Sequence, residues 1–327
     1  MPKTGMRWLL GSLVALAVVL PSVAHAQTVH PAEFEASGEI LWGCNDTYLV
    51  QSVYREAVRG TAAEPTNHTF FVASRDAAYQ IIYDMYDRGI SLAKAKFFIC
   101  ALDSVWMRDY GPFVVKENGQ NVVVDVNYYY NRQQDDAFPR LWARFKGYGY
   151  RYGNLDTEGG NFMTDGRGTA FISKSVYEHN RALGTNQIDS VYRTMGCSQV
   201  QTFEYLLNDG TTHIDMYSKL LGYNTVLVSR AVSTQSMNYA LLERNAAKFR
   251  SLGFNVVRAT MADDNLSTYT NSLVVGGTML VPTYGSTNDS AALAVYQSAG
   301  YRTVGIDCRN IIRYGGAIHC ISMQVAK

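Results

Sequence analysis

The 327-residue chain is poor in charge, proline and cysteine. Only 17% of its residues are Asp, Glu, Lys or Arg, and 29 basic residues against 28 acidic ones leave a formal charge of +1. So even a balance gives no electrostatic basis for a nucleic-acid partner or for a strongly charged membrane surface. There are seven prolines and no Pro/Ser/Gly-rich stretch to act as an interdomain linker. Five cysteines are too few for a disulfide scaffold, and their odd number leaves at least one unpaired. What the chain does have is a 47% hydrophobic composition with 23 tyrosines. That excludes a disordered or fibrous protein and fits a well-packed globular one.

The N-terminus is of a different kind. Lys3 and Arg7 precede an uncharged stretch from Leu9 to Leu20, followed by Pro21 and Ala24-His25-Ala26. A basic start, a short apolar stretch and a small-x-small site read as a secretory signal peptide over residues 1–26. The apolar stretch falls short of the about 20 residues that cross a bilayer, and no later stretch reaches that length. Residues 27–327 are then expected to form a single domain, secreted or periplasmic, with no membrane attachment after cleavage. In such a compartment Cys44, Cys100, Cys197 and Cys308 either form two bridges or stay as buried thiols.

The body repeats a helix, a glycine and a strand about five times. The glycines are Gly89, Gly147, Gly196, Gly253 and Gly300, each where a helix end asks for a left-handed backbone. Helices are expected over Ser236–Leu252 and from a cap at Asp289-Ser290 to Gly300. Strands are expected over Val122–Val126, Thr225–Val228 and a hairpin Leu273–Val281 turning at Gly276-Gly277. The whole is an α/β protein built from units of roughly 50 residues.

A chemically able residue follows each glycine within twenty positions: Asp109, Glu158, His213, Asn271 and Cys320. If the units surround an axis, these residues meet in one pocket. Each sits in a distinctive setting. Trp106-Met107-Arg108-Asp109-Tyr110-Gly111-Pro112 joins an aromatic face to an Arg-Asp pair, and Asp109 beside Trp106 suits a cation. Glu158-Gly159-Gly160-Asn161 puts a carboxylate before two residues that admit close backbone approach. His213-Ile214-Asp215-Met216 puts two polar side chains on one face if it is a strand. Zinc is a weaker reading of that pair, since no further His stands at a fitting spacing and His319 and Cys320 would point oppositely in a strand. Gly315-Gly316-Ala317-Ile318-His319-Cys320 places a cysteine in a glycine-led segment. The order of these residues does not match a papain-type protease, whose cysteine comes early and histidine late.

Two carboxylates facing one pocket repel unless a cation lies between them. A planar guanidinium satisfies both through paired N–H bonds. A thiolate then attacks its central carbon while an imidazole protonates the departing ammonia. The residue set therefore points to guanidine hydrolysis.

Taken in order, these motifs, with Tyr269-Thr270-Asn271-Ser272-Leu273-Val274, resemble the guanidino-modifying (pentein) superfamily. Within it the chain is similar to the bacterial, Porphyromonas-type peptidylarginine deiminases, which are related to agmatine deiminases. The resemblance implies a five-bladed pseudo-symmetric α/β propeller with the site on its axis. It implies Cys320 as nucleophile, His213 as general acid and base, and Asp109 and Asp215 as the grip on the guanidinium. It further implies that Glu158 orients His213, Asn271 lines the site near the sulfur and Trp106 packs on the substrate. No cofactor, metal or calcium is implied. The substrate is an arginine-containing peptide or, as an alternative, a small guanidine such as agmatine or free arginine. A non-catalytic arginine-binding module is the remote alternative. In Tyr130-Asn131-Arg132-Gln133-Gln134, Arg132 matches the first of two arginines that bind a substrate carboxylate in the family, whereas Gln134 replaces the second. Thr212, before His213, replaces a glycine common in agmatine deiminases.

Overall fold

The computed structural model describes residues 28–327; the expected signal peptide lies outside them. Five separate sheets follow one another along the chain. The first holds strands Ser37–Cys44, Asn67–Val72 and Ala95–Ile99, connected by helices Thr47–Gly60 and Arg75–Asp87. The C-terminal strand Ser322–Ala326 completes it, antiparallel to Ser37–Cys44. The second contains Phe113–Glu117, Gln120–Asn127 and Gly149–Asp156, with Thr28–Val29 added at its edge and helix Gln133–Lys146 before its last strand. The third consists of Met163–Thr164, Thr169–Ser173 and Gln199–Phe203; the fourth of Ser218–Gly222, Thr225–Arg230 and Asn255–Thr260; the fifth of Leu273–Val275, Thr278–Thr283 and Arg302–Asp307.

The sheets share one motif, which the first extends by a second parallel pair and the second by an antiparallel edge strand. An antiparallel pair is followed by a parallel pair, and a helix makes the crossover that parallel strands require. The helices before the last strands are Arg75–Asp87, Gln133–Lys146, Thr185–Thr194, Tyr239–Ser251 and Asp289–Ser298. All five expected glycines lie just past their ends with positive φ, from 63° at Gly89 to 94° at Gly300. An L side chain is disfavoured there, which is why the punctuation was legible in the sequence.

Two helix starts differ from expectation. The fourth-sheet helix begins at Tyr239, because Ser236 forms a turn in which its carbonyl accepts from the Tyr239 amide. Asp289 does not cap its own helix. Its carboxylate accepts from the amides of Tyr284, Gly285 and Ser286 and from the Tyr269 hydroxyl, so it ties down the preceding loop.

Apolar clusters fill the space between sheets and helices, with Phe203 stacked on Phe249 at 4.1 Å between ring centroids. Trp106 packs against three of these clusters. Among the described residues no helix is long and apolar enough to cross a membrane. All five cysteines are free; of the two readings left open, thiols rather than bridges are present. The loop leaving the last strand of each sheet carries, in turn, Asp109, Glu158, His213, Asn271 and Cys320.

Candidate active site

Those five loops converge. A cavity of about 140 Å³ is walled by Trp106, Asp109, Glu158, His213, Arg132 and Cys320, among others. Asp215 and Asn271 are fully buried and touch the Cys320 sulfur. All eight residues singled out in the sequence are thus at one place.

The local chain explains how each reaches it. Asp109 lies in the one-turn helix Met107–Tyr110, between Ala95–Ile99 and Phe113–Glu117. Glu158 precedes the turn Gly159–Asn161, whose two glycines allow the approach expected of them. A Cβ on Gly160 would lie 2.4 Å from His213 Nδ1, and one on Gly159 would lie 2.0 Å from the Arg108 carbonyl oxygen. His213 and Asp215 are not on a strand. Ile214–Met216 is a single 3-10 turn, so backbone curvature rather than strand alternation brings both to the site. Thr212 precedes them at φ 59°, in the left-handed region. His319 and Cys320 belong to a turn, not a strand, and both approach Asp215 Oδ2, at 2.7 Å from His319 Nδ1 and 3.7 Å from Cys320 Sγ. A Cβ on Gly316 would lie 2.7 Å from that sulfur. Asn271 clamps the turn. Its Oδ1 accepts from the amides of Ala317 and Cys320, and its Nδ2 donates to Cys320 Sγ at 3.0 Å.

The electrostatics follow from burial. His213 Nε2 is bonded to the Glu158 carboxylate, and Nδ1 stands 3.7 Å from Asp109 Oδ1. Burial alone would depress the imidazole, but Glu158 and then Asp109 outweigh it and raise the pKa to about 10. Burial pushes the Asp109 carboxyl well above the usual carboxylate range; His213 opposes this, and Glu158 and Asp215 add to it. Burial first, then Asp215 and Asp109, hold the Cys320 thiol well above its ordinary value, while Asn271 works the other way. Asp109 Oδ1, Asp215 Oδ1 and His213 Nδ1 are buried and find no hydrogen-bond partner within the protein. The two buried carboxylate oxygens are costly unless something donates to them.

Arg132 stands at the rim. Its guanidinium donates to the Tyr128 hydroxyl at 2.8 Å and lies over the Tyr129 ring at 5.2 Å. Gln134 is exposed in the first turn of helix Gln133–Lys146. A wider cleft of about 640 Å³ adjoins the cavity and shares Tyr128, Tyr129, Glu158 and Thr211 with it. No group of three or more His, Cys, Asp or Glu residues among the described residues is disposed to hold a metal ion.

Sequence reasoning missed Glu33 and Lys219 and gave Arg108 and His319 no part in the site. Arg108 does not pair with Asp109; it turns away to Glu33, at 2.7 Å. Glu33 also engages Lys219 and His319. Only the proximity of His319 to Cys320 offered a local signal, and Glu33 and Lys219 offered none.

A family model described as Porphyromonas-type peptidyl-arginine deiminase matches residues 34–326. The agmatine deiminase of Pseudomonas aeruginosa (strain UCBPP-PA14) is 25% identical over 273 residues, covering 68% of this chain and 74% of that protein. The structure of C. jejuni agmatine deiminase superposes with a TM-score of 0.82 at 19% identity, over 93% of this chain and 98% of that one. That of Enterococcus faecalis agmatine deiminase gives 0.80 at 18%, over 92% and 96%. These likenesses establish the mixed α/β pentein fold that the sequence implied.

Proposed function

The chain belongs to the Porphyromonas-type peptidyl-arginine deiminase family, and on that premise we propose that it hydrolyses the guanidinium of peptidyl-arginine to citrulline and ammonia. It is a hydrolase of guanidino C–N bonds. The observation that carries the reading is the pair of buried, unpartnered oxygens Asp109 Oδ1 and Asp215 Oδ1 beside the Cys320 thiol. A guanidinium supplies N–H donors to both and cancels the mutual repulsion of the two carboxylates.

The positive charge of the bound guanidinium favours the thiolate, so the thiol proton passes to solvent as substrate binds. The Cys320 sulfur then adds to the guanidinium carbon. His213, an imidazolium at neutral pH, gives its proton to one amino group, which leaves as ammonia and yields an amidino-thioether. Neutral His213 next takes a proton from water, and the hydroxide adds to the same carbon. The C–S bond breaks, the sulfur recovers its electron pair, and the hydroxyl proton passes to the sulfur, which restores the thiol and leaves the ureido product. Glu158 holds the imidazole through Nε2, Asn271 steadies the sulfur, and Trp106 walls the substrate.

The peptide reading is supported by the cleft of about 640 Å³ that continues from the cavity and by the Arg132 guanidinium, which lines the cavity itself. A second reading, agmatine as substrate, is favoured by the names of the relatives and by Asp136 and Asp156, which line the cleft and suit a primary amine. The five sheets are read as the blades of a propeller within one domain, which the contribution of a loop from every sheet supports. The basic-apolar N-terminus supports export to a secreted or periplasmic location. Citrulline and ureido formation from internal-arginine peptide, C-terminal-arginine peptide, free arginine and agmatine tests the substrate. Turnover of agmatine without turnover of either peptide would replace the first reading by the second.

A further inference from the structure

Glu33 lies on the segment between strands Thr28–Val29 and Ser37–Cys44, outside the residues that wall the cavity. Its carboxylate accepts from Arg108 Nη1 at 2.7 Å, pairs with Lys219, and presents both oxygens to His319 Nε2 at 2.9 Å. The other ring nitrogen of His319, Nδ1, is 2.7 Å from Asp215 Oδ2. His319 and Asp215 are fully buried, and Arg108 and Lys219 nearly so. Burial alone would raise the Glu33 carboxyl, but Arg108, His319 and Lys219 hold it well below the usual carboxylate range. Glu33 is therefore held as an anion, and the Arg108 and Lys219 side chains beside it offset what its burial costs.

We propose that Glu33 is a positioning residue for the guanidinium site: it fixes the His319 ring, and the ring fixes Asp215 with Oδ2 engaged and Oδ1 free to accept from substrate. A carboxylate at each ring nitrogen leaves the imidazole one orientation, and a ring held at both ends cannot swing to let Asp215 rotate. The chain thus uses its first described segment to set the reactive geometry of a turn almost three hundred residues later, through a separation of 286 positions between Glu33 and His319. The inference rests on the guanidinium-binding role given above to Asp215.

The test compares wild type, Glu33→Gln and Glu35→Gln by steady-state kinetics on the best arginyl substrate. Glu35 serves as control because its hydrogen bonds run to the Ala32 amide and the Tyr223 hydroxyl. In a Cys320→Ala background, calorimetry then gives the affinity for the same substrate with Glu33→Gln, Asp215→Asn and both. The expected result is a KM about tenfold higher in E33Q with a smaller change in kcat, and a wild-type KM in E35Q. In the binding series, E33Q weakens affinity about tenfold alone but by less than twofold when added to D215N, because the first acts through the second. Equal KM and affinity in E33Q, or full additivity with D215N, overturns the inference. If E33Q does not fold, Glu33→Asp, which keeps the charge but draws the oxygens back from His319, carries the same expectation and the same contradiction. No turnover of any guanidine by wild type would instead overturn the functional reading, and the inference with it.

Discussion

Asn271 Nδ2 donates to Cys320 Sγ across 3.0 Å while the same side chain accepts two amides of the turn that carries the cysteine. One amide group therefore sets both the position of the sulfur and part of its field. Replacing Asn271 by Asp keeps the shape, removes the donor and puts a negative charge against the sulfur. The thiol rises further from its ordinary value. Asn271→Asp is expected to lower kcat by about a hundredfold or more, and Asn271→Ala by about tenfold. The rate of Cys320 alkylation as a function of pH reads the thiol directly, and an unchanged profile in the Asp variant contradicts the assignment.

The pH dependence should have an alkaline limb set by His213. Its pKa in the folded protein is raised to about 10 because Glu158 and Asp109 outweigh burial. As free enzyme must carry the imidazolium to protonate the departing amino group, kcat/KM falls above about pH 10. Glu158→Gln removes the largest raising influence, so the limb moves down by more than a pH unit. The sign for stability is the same. A raised histidine pKa contributes fully below the unfolded value of 6.5 and is lost between there and about 10. Melting temperature should decline over that window more steeply in wild type than in the Gln variant.

Gly160 is the position where an added methyl does most harm. Its Cβ would stand 2.4 Å from His213 Nδ1 and 3.0 Å from Asp109 Oδ1. Gly160→Ala is expected to abolish turnover by displacing both groups, at a stability cost of about 1–3 kcal/mol from overpacking. Gly89→Ala, where a Cβ meets nothing within 4 Å but φ is 63°, should cost about 1 kcal/mol through backbone strain and leave kcat unchanged. Circular dichroism melts beside kinetics separate the two effects.

Thr212 offers the reverse case. A β-branched residue at φ 59° is strained by about 1–2 kcal/mol. Thr212→Gly should raise the melting temperature by about 2–4 °C, with kcat/KM within twofold of wild type. A lower melting temperature would mean that the Thr212 hydroxyl, which donates to the Thr211 carbonyl, outweighs the strain.

Much of this architecture was legible because its signals are local. A glycine after each helix, three valines at 122–124 and a Gly-Gly hairpin are readable from a few neighbouring residues. The site residues were legible for the same reason, since each sits in a short motif whose glycines and aromatics have a packing purpose. What was not legible is long-range. Glu33 is 75 positions from Arg108 and 186 from Lys219, and no local pattern links Pro31-Ala32-Glu33 to either. The local geometry of His213-Ile214-Asp215 is not fixed by its pattern either. Period two would put both polar side chains on one face of a strand, but the segment joins Gln199–Phe203 to Ser218–Gly222 and tertiary context bends it into a 3-10 turn. Arg108 beside Asp109 looked like a local pair because sequence adjacency says nothing about which way two neighbouring side chains leave a helical turn.

The central claim is that Cys320 forms and breaks a bond to a guanidinium carbon gripped by Asp109 and Asp215. The most direct measurement is ureido product and ammonia released from an arginyl peptide by wild type and by Cys320→Ala at the same protein concentration. The account predicts equal amounts of both products from wild type and none above background from the variant. Turnover by Cys320→Ala at the wild-type rate would contradict it.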